Sequence, residues 1–127
     1  MCDPGHYEQV TIRLAEIDAP EKAQPFGHRS KEALSAQCFG VVAAIKPRTL
    51  DRYGRTVARV ECRGEDASSQ QVRKGLAWAF TRYLTDPAIR DAENAARGAK
   101  VGLWADQAPV APWDWRREQK QRASRLD

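Results

Sequence analysis

Between residues 10 and 15, Val10, Ile12 and Leu14 alternate with Thr11, Arg13 and Ala15. A period of two marks a strand with one buried face, and such a strand must find a sheet to pair with. The alternation puts Arg13 on the face opposite Val10, Ile12 and Leu14. The strand is expected to run to about Asp18, where Ala19-Pro20 turns the chain and Pro20 has no N–H for a ladder. Two more apolar runs, Val41 to Ile45 and Thr56 to Cys62, flank a polar segment containing Asp51-Arg52-Tyr53-Gly54-Arg55. They read as a hairpin with Arg55 at the mouth of its second strand.

Helical spacing takes over elsewhere. His28 to Phe39 carries Ala33, Leu34 and Cys38 on one face, with Gly40 placed for a left-handed C-terminal cap. Asp66 suits the N-cap of a short helix that turns Val72 inward and stops at Gly75. After the aromatic-rich Leu76 to Tyr83, Asp86-Pro87 opens a helix whose narrow stripe is Ile89, Ala92, Ala96 and Ala99, ending at Gly102. Trp78, Trp104, Trp113 and Trp115 read as core residues or as seals between helix and sheet. Beyond Ala-Pro-Val-Ala-Pro, five of the last twelve residues are Lys or Arg. Residues 1–115 are therefore read as one domain, and residues 116–127 as a basic tail, either a helix or a solvated arm.

A chain of 127 residues, 42% apolar and 30% charged, has the composition of one globular domain and not of a disordered segment. Lys and Arg outnumber Asp and Glu by 21 to 17, a net charge of +4 that draws anionic partners. No run of about 18 apolar residues suggests a membrane span, and Met1-Cys2-Asp3-Pro4-Gly5-His6 has no signal-peptide pattern. If the native start lies upstream, a leader for secretion or for the periplasm remains compatible with the sequence. Cys2, Cys38 and Cys62 lack metal-site spacing and read as buried thiols in preference to a Cys38–Cys62 disulfide.

Asp18 and Glu21, three apart at a strand end, can converge on a hard cation through oxygen ligands. Arg13, five residues earlier, and Arg55 on the hairpin could face the anion that the turn recruits. Taken singly, each also reads as a solvated acid or a surface ion pair. Together, two guanidiniums around a carboxylate-bound cation suit phosphoryl chemistry, because they neutralise charge building on phosphorus while a carboxylate activates water.

The segment Arg13-Leu14-Ala15-Glu16-Ile17-Asp18-Ala19-Pro20-Glu21 resembles the R-L-x-x-I-D-x-P-E segment of the staphylococcal nuclease (thermonuclease) family. Further matches follow in the family's order: Gln24-Pro25-Phe26-Gly27, Asp51-Arg52-Tyr53-Gly54-Arg55 for D-[RK]-Y-G-R, Gly75-Leu76-Ala77-Trp78 with Tyr83 for G-L-A-W, and Gly102-Leu103-Trp104. The resemblance spans about Val10 to Trp115 and implies an α+β protein, an oligonucleotide-binding (OB) barrel with about three packed helices. It implies a calcium-dependent endonuclease acting on DNA and RNA and leaving 3′-phosphorylated products. On that basis Asp18 and the Ala19 carbonyl bind calcium. Glu21 acts as general base or orients the attacking water, and Arg13 and Arg55 grip the scissile phosphate. Arg52, Tyr53 and Tyr83 match positions of the nucleotide pocket.

The family's upstream D-G-D-T motif, whose second aspartate ligates calcium, is not present; Asp3 is the only aspartate before Arg13 and stands in a turn context. A calcium site short of one charge is expected to bind weakly, which puts the activity of this chain in doubt and leaves a noncatalytic nucleic-acid- or protein-binding module as the alternative. The barrel is likewise expected to lack its first strand and most of its second. The strand at residues 10–17 would then have an unpaired edge open to self-association.

Overall fold

The period-2 segment forms a strand, but a shorter one than its pattern suggests. In the computed structural model, which describes residues 10–125, strand β1 covers only Ile12–Leu14. Glu16 then takes a left-handed backbone conformation, with φ at 71°. The chain leaves the first sheet there and starts a second strand, β2, at Ile17–Asp18. The single strand expected to run to Asp18 is thus two strands in two sheets. Val10, expected on the buried face, is 54% exposed. Cys2 and Asp3 lie outside the described residues.

β1 pairs in parallel with β4 (Thr56–Cys62), placing Ile12 beside Thr56 and Arg13 beside Val57. β4 pairs antiparallel with β3 (Ala43–Leu50) and with the short β5 (Glu65–Asp66). β2 pairs antiparallel with β6 (Trp78–Ala79) in a separate two-stranded sheet. β3 begins later than expected and runs past Ile45, through Pro47, to Leu50; a register shift between Pro47 and Thr49 absorbs the proline. Most residues of β3 are exposed, so no apolar pattern marked its second half. Among the described residues the outer edges of β1 and β3 have no strand partner.

Four α-helices accompany the sheets: α1 (Gly27–Cys38), α2 (Ala67–Arg73), α3 (Pro87–Ala99) and α4 (Pro112–Arg125). The two expected acid caps form. Asp66 accepts from Ser69 N–H at 2.8 Å, and Asp86 from Ala88 N–H at 2.9 Å. α3 stops earlier than Gly102, with Lys100 in the left-handed position. Its buried stripe is Ile89, Glu93 and Ala96, whereas Ala99 is exposed. Glu93 is tolerated inside because its carboxylate accepts from the Ala79 N–H at 2.6 Å and pairs with Arg97 at 3.2 Å.

α1 also buries a different face from the one its apolar residues mark. Ser30 and Gln37 are buried, and Gln71 Nε2 donates to the Ser30 carbonyl at 2.9 Å. Ala33, Leu34 and Cys38 are only half-buried. The last turn of α1 lies over the end of β4, where Cys38 and Cys62, with Cα atoms 5.3 Å apart, form a disulfide and not the expected free thiols. Closing that loop stabilises the fold by about 3 kcal/mol in the chain-entropy picture.

The two glycine-leucine motifs meet. Leu103 N–H donates to the Gly75 carbonyl at 2.9 Å; a Cβ on Gly75 would overlap the Val101 carbonyl, and one on Gly102 the Gly75 carbonyl. This close approach seals α3 against a core of Ile17, Val72, Ala77, Ala79 and Ile89. The arrangement is α+β of the OB type, and among the described residues its barrel is open between the outer edges of β1 and β3.

Candidate active site

The site grows from the end of β2. Ile17 and Asp18 lie opposite Ala79 and Trp78, which carries the Asp18 carboxylate to the rim of the core. The following turn is held on several sides. Glu21 N–H donates to Gln24 Oε1 at 3.1 Å, Gln24 N–H returns to the Glu21 carbonyl at 2.9 Å, and Gln24 Nε2 reaches the Val110 carbonyl at 2.6 Å. Gly27, the first residue of α1, packs so closely on this turn that a Cβ there would overlap the Glu21 carbonyl. The positions of Asp18 and Glu21 are therefore set by backbone packing.

Arg13 joins them from β1. Its guanidinium lies over the Phe80 ring at 5.2 Å, donates to the Ile17 carbonyl at 3.4 Å and stands 3.7 Å from Asp18 Oδ1. Asp18 is 6% exposed, while the Glu21 side chain is 43% exposed. Ala19, half-buried, sits between Asp18 and the buried Pro20.

A third arginine occupies this place, one that the sequence pattern left in the basic tail. Arg116 of α4 donates to Asp18 Oδ2 at 2.5 Å, to Asp18 Oδ1 at 3.3 Å and to Glu21 Oε1 at 2.7 Å. These hydrogen bonds hold the Arg116 pKa above the usual arginine range. The one sequence signal pointing to it is its position just after Trp113-Asp114-Trp115, an aromatic anchor that makes a free arm unnecessary.

Arg55 stands apart from that cluster. Its guanidinium donates to Asp51 Oδ2 at 2.7 Å, and it makes no ion pair with Asp18 or Glu21. Desolvation pushes the Asp51 carboxyl up, but hydrogen bonds from Arg55 and the Tyr53 N–H outweigh it and hold the group below its ordinary value. By strand register, Arg55 lies two residues before Val57, the partner of Arg13, so the two arginines share a face of the sheet. Tyr53 is 68% exposed, with Arg52 at 5.0 Å and Arg55 at 5.4 Å from its ring centre. Tyr83 is 58% exposed and meets Phe80 edge-on at 5.1 Å.

A second acid cluster lies two residues before Asp18. Glu16 accepts from the Thr85 N–H at 2.6 Å, the Asp86 N–H at 2.5 Å, Arg59 at 2.6 Å and Arg48 at 3.2 Å. Burial pushes its carboxyl up, yet the Thr85 and Asp86 hydrogen bonds and the Arg48 charge prevail and bring the pKa to about 2. Arg59 also pairs with Asp66 at 2.9 Å and Asp86 at 2.9 Å, which pushes its pKa further up. Every strong acceptor site on Glu16 is in use, so this cluster ties the turn between β1 and β2 to β3, β4 and the N-caps of α2 and α3.

The fit to a metal can be judged from the donor set. Asp18 and Glu21 turn carboxylate oxygens onto a single cation, the Arg116 guanidinium, so the pair converges as oxygen ligands of a hard cation must. No group of three or more His, Cys, Asp or Glu is arranged to hold a metal ion among the described residues. The donor set that a cation would meet is the two carboxylates of Asp18 and Glu21, not a complete cage. No helix among the described residues is long and apolar enough to cross a membrane.

Comparison with known proteins bears on the family of the chain. Residues 11–106 match the family model described as "Staphylococcal nuclease homologue". An "Uncharacterized endonuclease" of Haemophilus influenzae is 40% identical over 113 residues, 89% of this chain and 64% of that protein. "Protein ParB" of Escherichia coli is 40% identical over 126 residues, 91% of this chain and 71% of that protein. The "Staphylococcal-like nuclease CAN1" of Arabidopsis thaliana is 37% identical over 113 residues, 89% of this chain but 35% of that protein. The chain thus spans just under two thirds of the Haemophilus protein and about a third of the plant one. With the family match covering most of the chain and lying over the Arg13–Glu21 turn, the protein belongs to the staphylococcal nuclease family.

Proposed function

We propose that the chain is a calcium-dependent endonuclease domain that hydrolyses phosphodiester bonds of DNA and RNA and leaves 3′-phosphorylated products. The observation that carries this reading is the packed turn that presents Asp18 and Glu21 side by side with Arg13 at 3.7 Å from Asp18. Asp18 and the Ala19 carbonyl would hold the cation, which supplies charge neutralisation at the phosphate. Glu21, half out in solvent, orients a water and takes its proton as the water attacks phosphorus. The bond to the 5′ oxygen breaks, that oxygen takes up a proton from water, and the phosphate stays on the 3′ side. Arg13 and Arg55 approach from one face of the sheet and bind the phosphate oxygens whose charge grows in the transition state. The exposed rings of Tyr53 and Tyr83 offer stacking surfaces to bases, with Arg52 beside Tyr53 for the backbone.

The test is hydrolysis of single-stranded DNA in calcium, in chelator, and by Arg55→Ala in calcium. Chelation should abolish cleavage and the substitution should lower it about 10²- to 10³-fold; equal rates in all three overturn the reading. Salt-sensitive DNA binding with no cleavage would instead identify a noncatalytic module. The outer edge of β1, which has no strand partner among the described residues, supports a companion proposal, self-association along the strand region 10–17. Light scattering at high protein concentration checks it, and a strictly monomeric profile counts against it.

A further inference from the structure

We infer that Arg116 is a tethered cation in the metal seat of Asp18 and Glu21, and that a divalent cation binds by displacing it and releasing the C-terminal part of α4. This inference rests on the reading of Asp18 and Glu21 as metal ligands. Three guanidinium contacts, at 2.5, 2.7 and 3.3 Å, take up oxygens from both carboxylates. A calcium ion needs those oxygens at about 2.3–2.6 Å. A metal ion at that distance would crowd the Arg116 nitrogens that approach the same oxygens, and the two positive groups would repel at close range. Binding is therefore an exchange of one cation for another, and the metal's apparent affinity is lowered by the fraction of molecules in which the seat is taken.

The build of α4 suits such an exchange. Its first turn is anchored: Pro112 is buried, and Trp113 stacks on Phe80 at 5.4 Å and meets Trp78 edge-on at 5.6 Å. From Arg116 to Arg125 the side chains are exposed apart from the half-buried Gln119. Arg117 pairs within the helix, with Asp114, and touches neither Asp18 nor Glu21. Arg116 is thus the residue by which the outer part of the helix is tied to the site. Its release would leave the anchor in place and turn a basic helical segment, with Lys120, Arg122 and Arg125, away from the carboxylates.

Calcium titration by calorimetry of the whole chain, paired with amide hydrogen exchange, tests this. Four proteins are compared: wild type, Arg116→Gln, Arg117→Gln as a control for the same loss of charge, and Asp18→Asn. Arg116→Gln should bind calcium about tenfold or more tighter than wild type, the equivalent of one charge-assisted hydrogen bond. Arg117→Gln should stay near wild type, and Asp18→Asn should lose binding. In wild type, calcium should speed exchange over residues 116–125 and leave the Pro112–Trp113 anchor unchanged. Calcium affinity in Arg116→Gln equal to or weaker than in Arg117→Gln overturns the inference while leaving the metal site standing. Absence of calcium binding in both wild type and Arg116→Gln overturns the metal site and this inference together.

Discussion

Glu16 and Asp18 lie two residues apart, both buried and both beside two arginines, yet they are held in opposite ways. Glu16 is gripped by backbone N–H groups of Thr85 and Asp86 as well as by Arg48 and Arg59. Asp18 accepts from no backbone N–H among the described residues; its partners are the ends of two long side chains, Arg13 and Arg116. A carboxylate locked by main-chain donors cannot change partner without unfolding its surroundings. One held by side chains can. The difference separates an acid that builds the scaffold from an acid that can take part in chemistry, although composition and local spacing make them look alike.

Four experiments can break or sharpen that contrast. The largest effect is expected for Arg59→Leu, which strands Glu16, Asp66 and Asp86 together. Loss of one partner from a buried ionic cluster costs about 3–5 kcal/mol, read as a lower urea midpoint; a loss below about 1 kcal/mol would make the cluster superficial. On the reactive side, Arg13→Ala should lower cleavage about 10²- to 10³-fold with a much smaller change in stability, and an unchanged rate would remove Arg13 from the phosphate.

Acid should single out Glu16. Its folded pKa, about 2, lies below the ordinary 4.5, so its stabilisation is fully present above pH 4.5 and disappears as the pH falls toward 2. The shift corresponds to about 3 kcal/mol, and Glu16→Gln should flatten the stability curve over that window; parallel curves would contradict it. The smallest effect belongs to the stability of Asp18→Asn, about 1 kcal/mol or less. The side chains it unpairs are 21% and 42% exposed and can turn to water. A thermal melt checks this, and a loss comparable to that of Arg59→Leu would erase the distinction between the two acids.

The sequence makes the turn of the site legible because its constraints are local: a strand end, a proline, and acids three residues apart. The caps at Asp66 and Asp86 are legible for the same reason. Glu16 was hidden, though a trace of it is present. Continuing the alternation of Val10, Ile12 and Leu14 puts Glu16 on the buried side, and an acid at a core position demands partners. Those partners sit up to 70 residues away, where no pattern shows them. Arg116 was hidden by distance as well, 98 residues from Asp18. The polar burial of Ser30 and Gln37, the run of β3 through Pro47 and the meeting of Cys38 with Cys62 are likewise products of tertiary contacts that override local periodicity.

The contrast between the two acids is tested most directly by the calcium-dependent rate of single-stranded DNA cleavage for wild type, Glu16→Gln and Asp18→Asn, measured at neutral pH and at a temperature where all three are folded. The predicted result is a rate near wild type for Glu16→Gln and a loss of cleavage for Asp18→Asn. Cleavage retained by Asp18→Asn, or a wild-type rate indifferent to calcium, would contradict it.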